Sequence, residues 1–88
     1  MTKRNLAWKA LEKWGPEAQF DMVIEECSEL ITSIVHYKRG RISKDDMCQE
    51  VADVEIMLEF MRIQLGDHYV NRVIAEKLER LNGRIEED

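Results

Sequence analysis

The chain is poor in residues that interrupt regular structure, with one proline and four glycines among its 88 residues. Strong breaks in its first half therefore fall at only two places, Gly15-Pro16 and the "KRGRIS" segment of residues 38–43. Cysteine is scarce too: Cys27 and Cys48 lie in helical patterns without framework spacing, which excludes a disulfide scaffold and reads as two small buried hydrophobes in a reducing compartment. No uninterrupted apolar run reaches membrane-spanning length, and the opening "MTKRNLAWKALEKW" is basic without the apolar stretch of a signal peptide. A soluble, cytoplasmic protein without a membrane partner is expected. Excess positive charge is also missing. Thirteen Lys plus Arg against eighteen Asp plus Glu give a net charge of -5, which repels a phosphate backbone and argues against nucleic-acid binding.

What is present is regular apolar patterning. With 44% hydrophobic residues the chain is too apolar for disorder, and 88 residues support a single domain whose small core gains from self-association. A first helix is expected over about 3–14, with Trp8 and Trp14 as its packing anchors. Pro16 suits the first turn of a second helix, in which Phe20, Val23, Ile24, Cys27, Leu30, Ile31, Ile34 and Val35 follow the i, i+3, i+4 rule up to Gly40. Ser43 offers an N-cap, with Asp45 and Asp46 in the first turn, for a third helix ending near Leu65, where Gly66 can take the left-handed position. Its main seam is Met47, Val51, Val54, Leu58, Met61 and Leu65. A second seam of Ala52, Ile56, Phe60 and Ile63 needs a cover, either the last helix or another subunit, and Ile56, Phe60 and Ile63 are expected in a subunit interface. The last helix, about 68–82, should turn Val70, Val73, Ile74, Leu78 and Leu81 inward, and the tail from about residue 84 should fray. No strand, repeat or low-complexity tract is evident. The expected fold is all-α, a four-helix bundle completed by oligomerisation.

Acids interrupt this pattern twice, in "MVIEECSELI" (22–31) and "QEVADVEIML" (49–58). At about 100° per residue, Glu25 falls opposite the apolar face of the second helix, while Glu26 and Glu29 sit together on one flank. Glu50 lies at the edge of the main seam of the third helix, with Asp53 further round on the same side. A short connection favours antiparallel packing, which lets the two pairs face each other across one groove. Four ionised carboxylates so placed are stable only with cations or raised pKa values, and an all-oxygen set suits Mg2+ or Mn2+. A di-iron bundle would want Glu-x-x-His pairs, and neither His36 nor His68 has a Glu three residues before it. One Glu-x-x-Glu alone is ordinary solvated-face chemistry. The second pair on the matching flank is what makes the pattern point to a site.

The motifs "EECSEL" and, after a Gly turn, "EVADV", with the approach "WGPEAQFDMVIEE", resemble the Glu-x-x-Glu and Glu-x-x-Asp motifs of the all-α nucleoside triphosphate pyrophosphohydrolases, the MazG-like group, over roughly residues 14–84. The resemblance implies a single MazG-like helical domain spanning residues 1–88, working as a homodimer or homotetramer. It implies Mg2+-dependent cleavage of a nucleoside triphosphate to the monophosphate and pyrophosphate. Glu26, Glu29, Glu50 and Asp53 would be the metal ligands, with Glu29 or Glu26 the candidate to take a proton from the attacking water. It also implies a phosphate-binding cluster, matched in "KLERLNGR" by Lys77, Arg80 and Arg84, although Asn82 stands one place after Leu81, where many members carry Asn. Trp14, Gln19 and Asn71, with Trp8 and Tyr37, are candidates for a base pocket. The competing reading is a non-catalytic helical oligomer that serves as an interaction or regulatory module.

Overall fold

Thr2 and Ser43 open the first two helices, each accepting a hydrogen bond from a backbone N–H three residues on, and Asp46 completes a reciprocal capping box with Ser43. The computed structural model of the chain describes residues 1–87. Among them it shows three helices and no strand: α1 (Lys3–Lys38), α2 (Lys44–Leu65) and α3 (Asp67–Glu87).

The two helices expected before residue 40 are run together as α1, with a break at Gly15 (φ 83, ψ 169). Glycine reaches that conformation without a Cβ clash, so the chain changes direction in a single residue and Pro16 resumes the helix at once. Gln19, fully buried, pins this break: its Nε2 donates to the Ala7 carbonyl (3.1 Å) and its Oε1 accepts from Gln64 Nε2 (3.0 Å). Segment 3–14 thereby lies along α2, where Arg4 Nε meets Glu59 at 2.6 Å. This corrects the expected cover of the second seam. Phe60 is buried and Ile63 half-buried within the one chain, while Ile56 stays exposed.

Gly66 (φ 98, ψ 123) makes a sharp turn, and α3 then leaves the hairpin, packing against the end of α2 and tied to α1 at its start by the Arg4–Asp67 ion pair. Its inward-facing assignment is therefore corrected: Val73, Ile74, Leu78 and Leu81 are exposed. The start of α3 is held by Asp67, which takes Arg4 (2.7 Å) and Arg62 (3.1 Å). α3 continues through Glu87, over most of the tail expected to fray, and Asp88 of that tail lies outside the described residues; Asn82 Nδ2 donates to Glu86 (3.4 Å). The resulting radius of gyration is 15.8 Å, against about 12 Å for a compact domain of this length.

Two more expectations change. Trp8 and Trp14 are about half exposed rather than packing anchors, since the inner side of segment 3–14 is filled by the smaller Ala7. Both thiols are free, with Cys27 half-buried and Cys48 exposed. No helix among the described residues is long and apolar enough to cross a membrane.

Candidate metal centre

The connection 39–43 turns the chain so that α1 and α2 run antiparallel, with Gln19 beside Gln64 and Glu26 beside Glu50. Glu26 and Glu29 lie one turn apart on α1, so their side chains leave the same flank and meet Glu50 arriving from α2. One carboxylate oxygen from each of the three lies within 4.8 Å of the others.

The cluster carries unmet electrostatic demand. Glu26 Oε2 and Glu50 Oε2 are both buried atoms without a hydrogen-bond partner. The Glu26 carboxyl holds its proton more tightly than an ordinary glutamate, first because burial disfavours its charge and then because Glu29, Asp53, Glu50 and Glu25 repel it. Asp53 is exposed and stands outside the three-carboxylate set, yet its charge is close enough to act on Glu26. Glu25 is solvent-exposed, as its helical position required.

Beside the acids lies a polar cleft of about 310 Å3, lined by Ser28, Glu29, Thr32, Ser33 and Glu50. The three hydroxyl residues were missed in the sequence reading. Thr32 and Ser33 stand three and four residues after Glu29, a spacing that shares a helix face and was available as a signal. Ser28 Oγ and Thr32 Oγ1 donate back to the carbonyls of Ile24 (2.9 Å) and Ser28 (3.2 Å), which leaves their lone pairs toward the surroundings.

The remaining candidates are not brought to this cleft. Lys77, Arg80 and Arg84 are exposed on α3, beyond its Asp67 tie to Arg4, and do not line the cleft. Trp14 is exposed, with Lys13 Nζ 5.2 Å from its ring centre. The Gln19 amide is engaged at both ends inside the fold, so it is not free to read a base. Asn71 Oδ1 accepts from Arg62 Nη1 (2.9 Å), and Tyr37 lines a separate apolar groove with Met47 and Val51.

Chemically, three converging carboxylates with two unpartnered buried oxygens suit a hard divalent cation, for which oxygen ligands and a partly open coordination sphere are the norm. Exposed acidic groups also occur without an ion, so the buried, orphaned oxygens are the more telling feature. Against family models, curated proteins and solved structures, the chain matches none.

Proposed function

We propose that the chain is a Mg2+-dependent nucleoside triphosphate pyrophosphohydrolase, cleaving an NTP or dNTP to the monophosphate and pyrophosphate in the cytoplasm. The observation that carries this reading is the meeting of Glu26, Glu29 and Glu50 with two buried oxygens left without partners. The paired motifs "EECSEL" and "EVADV" support it. Glu26, Glu29 and Glu50 would hold the cation, Mg2+ or Mn2+, with Asp53 adding charge from the rim. A bound cation would supply neutralisation of the triphosphate and a more acidic water.

The chain's own residues contribute position and proton affinity. Glu26 and Glu29 are the candidate bases for the attacking water, and the raised proton affinity of Glu26 favours its receiving that proton. Ser33 and Thr32 line the cleft beside the acids, where hydroxyls suit phosphate oxygens. Lys77, Arg80 and Arg84 are remote from the acids within one chain, so in this reading they reach the triphosphate from a second copy, in a homodimer or homotetramer that completes the four-helix bundle.

Water attack at the α-phosphorus expels the β and γ groups together, so the product identifies the bond cut. Incubation of a nucleotide panel with and without Mg2+ is expected to release pyrophosphate and no orthophosphate. Absence of any cleavage would leave the second reading, a non-catalytic helical oligomer. That reading is favoured by one observation: Trp14, Gln19 and Asn71 do not line the cleft beside the acids.

A further inference from the structure

Segment 3–14 of α1 differs in charge from the rest of the molecule. It holds Lys3, Arg4, Lys9 and Lys13 against the single acid Glu12, within a chain of net charge -5. Its inner side is marked by Ala7, which is buried, and by Arg4, which is paired with Glu59 and Asp67. At 100° per residue Lys3, Leu6, Lys9, Ala10, Lys13 and Trp14 share one flank beside that inner side, while Glu12 falls on the other. Five of them, Leu6, Lys9, Ala10, Lys13 and Trp14, line one hollow of about 160 Å3. Leu6 is 44% and Trp14 56% exposed, and Lys13 Nζ stands 5.2 Å from the centre of the Trp14 ring. Lys3, Lys9 and Lys13 form no ion pair among the described residues, although the chain has acids in excess.

We propose that this flank docks on an anionic membrane surface, with the three lysines among the headgroups and Leu6 and Trp14 at the boundary with the acyl chains. The proposal is independent of the hydrolase reading. It departs from the expected absence of a membrane partner, which rested on the missing apolar run; a surface contact needs no spanning helix. Charge selects an anionic partner, since each unpaired lysine strengthens binding near an anionic leaflet by about fivefold. The remainder of the chain is net acidic and is repelled by the same surface, which orients the contact on this flank. The apolar residues select lipid among anionic partners. Lysine stems can lie along Leu6 and Ala10 while their ammonium groups reach the headgroups, and an indole ring is at home at that depth. Single-stranded nucleic acid is the poorer fit, because it is held in basic grooves with several stacking rings, whereas this is a helix flank with one. With so few apolar anchors the contact is reversible.

Flotation of the full chain with vesicles of equal parts phosphatidylcholine and phosphatidylglycerol is expected at low salt, with none on phosphatidylcholine alone and a steep loss as salt rises. In a Trp8→Phe background the remaining Trp14 emission should shift to the blue on adding the anionic vesicles. The double variant Lys9→Gln/Lys13→Gln should weaken binding by about thirtyfold, while Lys38→Gln/Arg39→Gln, which removes the same charge at the far end of α1, should stay within about threefold. Absence of flotation at low salt overturns the proposal, as does flotation indifferent to salt or an equal loss in both double variants. Binding of a single-stranded oligonucleotide without flotation, lost in Lys9→Gln/Lys13→Gln, overturns it too and assigns the flank to nucleic acid.

Discussion

Two groups of carboxylates occur in this fold, and they are treated in opposite ways. At the open end of the hairpin Glu59 and Asp67 are met by arginines: Arg4 reaches both, and Arg62 adds a second contact to Asp67. Asp67 is accordingly held below the ordinary aspartate range, chiefly by its hydrogen bonds to Arg4 and Arg62. Midway along the hairpin Glu26, Glu29 and Glu50 meet one another with no cation of the chain's own, and Glu26 is pushed upward. The first group is finished as a structural joint. The second is left with like charges facing one another, a strain that a proton on Glu26 or a bound cation would relieve.

The contrast can be broken most forcefully at the level of turnover. Glu29→Gln and Asp53→Asn are expected to lower pyrophosphate release by at least about a hundredfold with helical content retained, while Glu25→Gln, facing solvent, stays within about twofold. Equal loss in Glu25→Gln would show that the acidic flank has been assigned wrongly.

A smaller effect concerns binding without catalysis. Mg2+ or Mn2+ at millimolar concentration should raise the melting temperature of the wild type, because a ligand that binds only the folded cluster stabilises it by mass action. Glu50→Gln should lose most of that rise. No shift in the wild type, together with no heat of binding in calorimetry, would remove the metal from the proposal.

The two groups should also answer pH in opposite directions. Asp67 contributes stability above its ordinary aspartate value, and that contribution is lost as pH falls through its lowered folded value. Asp67→Asn should therefore melt a few degrees lower, about 5 °C, at neutral pH, with the gap closing in acid. Glu26 binds its proton more tightly when folded, so without divalent cations its contribution is favourable in acid and fades as pH rises through its raised folded value. Glu26→Gln is accordingly expected to melt slightly higher than wild type at neutral pH in chelator, and to gain less from Mg2+. A Glu26→Gln variant that is less stable in chelator would mean that the carboxylate has a partner of its own.

Much of this arrangement is legible in the residues. Helical spacing alone separates Glu25 from Glu26 and Glu29, because a solvent position and a flank position differ by a fixed rotation. The capping box at Ser43 and the turn at Gly66 are equally local, resting on one hydroxyl and one missing Cβ. The cleft hydroxyls were available at the same spacing and were passed over, since serine and threonine on a helix carry no apolar or charged signal.

The cover of α2 was not legible. Periodicity shows that Phe60 and Ile63 want burial, but the partner could be any apolar face, and the choice of segment 3–14 depends on Gly15 redirecting the chain and on Gln19 bonding across the break. The departure of α3 has the same origin. Its apolar stripe reads as inward in any linear pattern, while its actual path is set by the Gly66 backbone and by the arginines on Asp67.

Local physics, then, was written in the chain: helix content, caps, breaks and the rotation of each acid about its own axis depend on neighbours three or four residues away. Which helices meet, that Glu26 finds Glu50, and that an apolar face is left bare depend on contacts between residues far apart in sequence. Such contacts trade chain entropy against burial over the whole molecule, so only the tertiary structure could decide them.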